Sequence, residues 1–190
     1  TLTGILISFF LCNFARDFKA DAISYLKQHR KEFALSENDI TDLKVANQYT
    51  DDIGITHLWL QQTAYGIELY NGLIGIHLNQ DGQVAYASGD VTHDLKSKVN
   101  TSTSVITMKK AVEIAAQLMT GKAWTGFSQN GYSPDGRIAF DAIDGLTKDK
   151  ILIRQQYFTT TTDRILLGWE VTIETPTHEN IWTYHIDAQT

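Results

Sequence analysis

The segment THLWLQQTAYGIELYNGLIGIHLNQDGQV, residues 56–84, constrains the fold more than any other stretch of the chain. Apolar and polar residues alternate through it with a period of two, the pattern of strands with one buried face. Leu58 and Leu60 fall on one face, and His57, Trp59 and Gln61 on the other. Gly66 breaks the alternation as a turn residue. Beyond it IELYNGLIGIHLN predicts a strand that buries Tyr70, Ile74, Ile76 and Leu78. Asp81-Gly82 marks a hairpin turn, where positive φ carries no Cβ penalty for glycine, and Gln83 to Ser88 return as a further strand.

The flanks extend this plan. Residues 17–34 place Phe18, Ala22, Tyr25, Leu26, His29 and Phe33 on one stripe at helical spacing. Ser36-Glu37-Asn38-Asp39 has the form of a helix cap, and KVANQYTD at 44–51 predicts a strand. The first half is thus a helix followed by an antiparallel meander. Residues 94–104, DLKSKVNTSTS, form a polar linker, after which the theme restarts. Residues 107–121 predict a helix with Met108, Ala111, Val112, Ala115, Leu118 and Met119 as its apolar stripe, Thr107 as N-cap and Gly121 as stop. A glycine-rich stretch from Trp124 to Gly136 reads as irregular. Strands KILIRQQYF, RILLGWEVTIE and NIWTYHIDA close the chain, with Thr175-Pro176-Thr177 as the turn between the last two. The fold class expected from this order is α+β.

Charge and apolar content narrow the partners. A net charge of −6, with basic residues scattered in short runs, argues against a nucleic-acid partner, because phosphate contacts need clustered Lys and Arg. The one strongly apolar run, LTGILISFFLCNF, is shorter than the roughly 20 residues of a membrane-spanning helix. It has the length of a signal-peptide core and ends at Arg16-Asp17, so residues 1–15 are expected to be a signal-peptide remnant. Cys12, the single cysteine, lies inside it, and the exported chain would carry no disulfide.

No catalytic constellation emerges. HENIW at 178–182 lacks the second histidine that a zinc-peptidase helix needs four positions on, since Trp182 occupies that place. His57 and His77 are able to face the same way on neighbouring strands, but no third ligand is placed beside them by spacing. Glycines 121, 126, 131 and 136 follow no phosphate-loop pattern, and Asp51-Asp52 and Asp141/Asp144 sit in turn-like contexts.

The segment 56–84 resembles the core motif of the FTP (fungalysin/thermolysin propeptide) domain. The matching positions are Thr56, His57, Gln61, Gln62, Gly66, Ile67, Asn71, Asp81, Gly82 and Val84, while the aromatic of the motif has moved to Trp59 and Gly72 stands where alanine is common. The ending GWEVTIE, Trp182 and YHIDAQT is similar to the closing strands of the same prosequences, nearest to the M36 (fungalysin-like) branch of secreted zinc metallopeptidases. The resemblance spans about residues 18–190 and does not account for 124–136.

It implies two cystatin-like subdomains, each a helix packed on an antiparallel sheet: an FTP-like subdomain at 16–93, the linker at 94–104 and a second cystatin/PepSY-like pro-subdomain at 105–190. It implies a secreted pro-region acting as chaperone and inhibitor of a metallopeptidase catalytic domain in cis. That domain is expected to continue past Thr190 and to hold the zinc; no cofactor, no nucleic-acid partner and no membrane span are expected for this chain. Trp59, Trp124 and Tyr132 are the candidate contacts to the protease, whereas Trp169 and Trp182 are read as core. The alternative is a free-standing secreted binding or inhibitor module of the same fold.

Overall fold

The computed structural model describes residues 16–190; the expected signal-peptide remnant and Cys12 lie outside them. The described chain is α+β. Helices α1 (Phe18–Gln28) and α2 (Glu37–Thr41) precede a four-stranded antiparallel meander of β1 (Lys44–Thr50), β2 (Thr56–Ala64), β3 (Ile67–Leu78) and β4 (Val84–Gly89). A short α3 (Leu95–Lys98) and α4 (Met108–Thr120) lead into β5 (Gln129–Tyr132), β6 (Ile138–Phe140), β7 (Ile151–Thr159), β8 (Ile165–Glu174) and β9 (Ile181–Asp187), a second antiparallel meander. The two meanders join where Leu69 of β3 pairs with Tyr157 of β7 in parallel.

Local chemistry explains the element ends. Asp17 accepts from the Ala20 amide to cap α1. At α2, Ser36 and Asp39 form a reciprocal capping box: the Asp39 amide donates to Ser36 Oγ at 3.1 Å and the Ser36 amide to Asp39 Oδ2 at 2.8 Å. Thr107 caps α4, which ends at Gly121 in the left-handed conformation. The β2–β3 loop is two residues, Tyr65 and Gly66, with φ of 52° and 80°. Positive φ at both positions gives a type I′ turn, whose twist matches that of the flanking strands.

Each helix layer covers one face of its sheet. Ala22, Leu26, Leu35, Ile40 and Leu43 bury Leu58, Leu60, Ile74, Ile76 and Leu78 in a first core. In the second, the small face of α4, Ala111, Val112, Ala115 and Ala116, packs with Ile151, Ile153, Leu167, Trp169, Val171 and Ile173. Ala64, Leu69 and Leu95 of the first half belong to this second core.

Several expectations need correction. Helix α1 stops at Gln28, and the chain reaches Leu35 through turns. Tyr70 is exposed rather than buried, because the β2–β3 register slips: Gln61 faces Leu73 but Thr63 faces Glu68, so two steps along β2 match five along β3. Residues 69–72 bulge, and the inside-outside alternation is reset across them. Leu118 lies on the solvent side of α4, at 62% exposure, since Ala115, Ala116 and Met119 already fill the stripe. Trp182 is 48% exposed at the start of the edge strand β9, while Trp169 is buried. The glycine-rich stretch carries β5 and leads into β6.

The polar segment 94–104 is bonded along its length. The Asp94 and Leu95 amides donate to the Asp39 carboxylate at 2.8 and 3.0 Å. Val99 bridges Ile165, the Leu167 amide donates to Asn100 Oδ1, and the Tyr157 hydroxyl donates to the Thr101 carbonyl. Burial pushes the Tyr157 phenol up to about 12, so it remains a donor throughout the physiological range.

Candidate functional site

Helices cover only one face of the first meander, and its other face collects aromatic rings by strand parity. Cross-strand pairing sets Tyr49 opposite His57, His57 opposite His77, and His77 opposite Tyr86. Trp59 projects on the same side, two residues after His57. The ring centroids form a continuous row: Tyr49 to His57 4.8 Å, Tyr49 to Trp59 5.5 Å, His57 to His77 4.8 Å and His77 to Tyr86 5.7 Å. Gly75 lies opposite Trp59 and leaves room for the indole, whose Nε1 comes within 3.6 Å of where a β-carbon would stand.

The row is partly open to solvent. Tyr49 and Tyr86 are 49% and 61% exposed, and His57, Trp59 and His77 are half-buried. Its centre is polar and ordered. His57 Nδ1 and His77 Nδ1 are 2.7 Å apart, and His57 Nε2 lies 3.0 Å from Asp51 Oδ2. The Ile53 and Ile55 amides donate to the other oxygen of Asp51. The hydrogen bond from His57, helped by the Ile55 amide, holds the Asp51 carboxyl below the usual carboxylate range. Burial, with the charge of His57 beside it, lowers His77.

The other positions of the sequence motif serve as joints. Thr56 exchanges a hydroxyl bond with Thr50. Gln61 donates through Nε2 to the Leu69 and Gly72 carbonyls, at 2.6 and 2.9 Å, and so ties the bulge to β2. Gln62 pairs both ends of its amide with Thr92: its Nε2 donates to the carbonyl and its Oε1 accepts from the amide, each at 2.8 Å. Asn71 holds φ of 62° within the bulge, and Gly66 completes the turn before Ile67. Asn79 Oδ1 accepts the Asp81 and Gln83 amides in the β3–β4 loop, where Gly82 takes φ of 71°, and Val84 opens β4 against Leu78.

The three candidate contact residues sit in different places. Trp59 is part of the aromatic row. Trp124 packs on the second core and donates through Nε1 to Thr120 Oγ1. Tyr132 is 69% exposed on β5, beside a surface hollow lined also by Arg137, Leu152, Glu174 and Ile181. Spacing alone did not bring out Tyr49, Tyr86 or Asp51, although counting the hairpin register from His57 and His77 reaches both tyrosines. HENIW is a turn entering β9, with His178 at φ of 58°; its ring lies by Glu174 and Asp149 on the surface.

A third polar cluster joins the halves. Arg154 contacts Glu170 at 2.9 Å and Glu68 of β3 at 3.7 Å. Glu170 is 5% exposed; His185 first and then Arg154 hold its carboxyl low.

Comparison with known proteins points one way. Residues 41–91 match the family model described as Fungalysin/Thermolysin Propeptide Motif, so every motif position named above lies within the match. Thermolysin of Alicyclobacillus acidocaldarius and that of Bacillus caldolyticus are each 28% identical over 93 residues, 49% of this chain and 17% of theirs. Extracellular metalloproteinase 2 of Phaeosphaeria nodorum is 31% identical over 77 residues, 37% of this chain and 12% of its own. The chain therefore matches only a small part of the length of these relatives. The Bacillus megaterium YpeB C-terminal domain aligns over 94% of this chain and 62% of its own, at 15% identity and a TM-score of 0.36.

Proposed function

From the propeptide motif that residues 41–91 carry, we propose that this chain is the pro-region of a secreted zinc metallopeptidase precursor of the fungalysin/thermolysin type. It assists folding of a catalytic domain in cis and blocks that domain until processing. Each half is read as a cystatin-like unit, with α1 or α4 laid across its meander. The match to the propeptide motif carries the proposal, together with the likeness to thermolysins and to an extracellular metalloproteinase. The chain itself contains no HExxH segment to hold a catalytic zinc. No helix among the described residues is long and apolar enough to cross a membrane.

The physical logic is linkage. A surface complementary to the folded protease stabilises that state by mass action, and covalent attachment raises the effective concentration. Occluding a cleft takes a standard interface of about 1,600 Å². The row of Tyr49, His57, Trp59, His77 and Tyr86 has the required character: large rings, half-exposed, already ordered against one another.

The test adds the chain to a denatured metallopeptidase catalytic domain encoded with it, and separately to the active enzyme. A gain in refolding yield and inhibition at micromolar concentration are expected. Neither effect, or a gene that ends without a catalytic domain, overturns the proposal in favour of a free-standing module.

A further inference from the structure

We propose that His57 and His77 form a two-imidazole site for a borderline transition-metal cation of the Cu²⁺/Zn²⁺ class, backed by Asp51. Three observations carry it, and none depends on the chain being a pro-region. First, two ring nitrogens from neighbouring strands converge, Nδ1 to Nδ1, at 2.7 Å. Second, the far nitrogen of His57 is held by Asp51 Oδ2 at 3.0 Å, and Asp51 is itself fixed by two backbone amides. Third, the rings are set by their walls: Tyr49 stacks on His57 and Tyr86 on His77, while Trp59 lies 5.9 Å from each.

The chemistry follows from the tautomers. A carboxylate accepting from His57 Nε2–H leaves Nδ1 with its lone pair directed at His77. Without a cation, His77 Nδ1–H donates to that lone pair. With one, the His77 proton moves to its own Nε2, so both Nδ1 atoms present lone pairs and no net proton is released. A carboxylate behind a metal-bound imidazole is the usual support of such a ligand, fixing its orientation and raising its basicity. Two metal–nitrogen bonds of about 2.0–2.1 Å at a tetrahedral angle span about 3.3 Å, so the rings need to part by roughly 0.6 Å. A small rotation of each side chain suffices, and the half-open face admits water to the remaining positions. Imidazole nitrogens select Cu²⁺, Ni²⁺ and Zn²⁺ over Mg²⁺ and Ca²⁺, which prefer oxygen.

The described surface offers one internal control. Asp149, Glu174 and His178 bring three ligand atoms together near the β8–β9 turn; Asp149 and His178 are exposed, Glu174 is half-buried, and the histidine contacts both carboxylates.

The experiment is equilibrium dialysis and calorimetry of the 190-residue chain with Cu²⁺, Zn²⁺ and Mg²⁺. One equivalent of Cu²⁺ is expected to bind in the micromolar range, more tightly than Zn²⁺, with no Mg²⁺ at this site. His57→Ala and His77→Ala each weaken binding by at least about tenfold, and Asp51→Asn by about 10–100-fold without removing a ligand. His178→Ala leaves it unchanged. Circular dichroism checks folding, and His57→Gln and His77→Gln replace any alanine variant that unfolds. Absence of binding up to millimolar metal overturns the assignment. So does binding that survives both histidine substitutions, or binding that His178→Ala removes.

Discussion

Several polar side chains in this molecule bond backbone groups at places where regular pairing fails. Asp39 is the clearest case. Burial pushes its carboxyl up, but bonds from Ser36, Asp94 and Leu95 outweigh this and leave it lowered. A group whose folded pKa is depressed contributes stability above its unfolded value of about 3.9 and loses it as pH falls through the folded value. Asp39→Ala is therefore expected to cost about 2 kcal/mol at neutral pH in urea titrations, and that cost is expected to shrink below about pH 4. A difference independent of pH would show that the carboxylate's charge is not what anchors residues 94 and 95. Gln62→Ala strips both partners from Thr92 and should destabilise by about 1–3 kcal/mol, read from the same titrations. Hydrogen exchange at the Thr92 amide should rise with it.

At the level of elements, the bulge in β3 decides the arrangement. Without the slip between Gln61 and Thr63, the 67–72 segment would keep the parity of 74–78, and Tyr70 would point into the first core. The bulge instead directs Leu69 into the second core, where it is 3% exposed, and sends Tyr70 over His185 at a centroid distance of 4.6 Å. Leu69→Ala should cost about 2–5 kcal/mol, typical of a cavity in a close-packed interior. The aromatic row behaves oppositely. Trp59→Ala removes a half-exposed ring from the uncovered face, so thermal stability should fall far less than for Leu69→Ala. If the chain acts as the proposed pro-region, its inhibition of the catalytic domain should weaken by at least about tenfold, as for an interface anchor. A Trp59→Ala chain that inhibits as well as the parent would move the docking face elsewhere.

Across the whole molecule, the halves share a sheet junction, a core and an ion-pair cluster. Leu69 pairs with Tyr157, Ala64 and Leu95 enter the α4 core, and Arg154 spans Glu68 and Glu170. Urea unfolding is expected to be a single transition, with tryptophan fluorescence and far-ultraviolet circular dichroism giving coincident midpoints. Two separated midpoints would show that the halves are energetically independent. A fragment of residues 94–190 alone should fold poorly, since it loses two buried apolar side chains of its core.

The amino-acid sequence by itself determined the α+β class, the order of helix and meander in each half, and the caps at Ser36, Thr107 and Gly121. These rest on local period, propensity and capping, which neighbouring residues decide among themselves. It also carried the propeptide motif, because several of those residues, Gly66, Asp81 and Gly82 among them, set turns locally. Only the tertiary structure decided the bulge at 69–72, the tethering of the polar segment 94–104, and the meeting of Asp51, His57 and His77 beneath Tyr49 and Tyr86. Each of these depends on register between strands, and a slip of a few residues changes which face a side chain takes. The hairpin pattern fixes which residues alternate. Packing against two cores fixes where that alternation breaks.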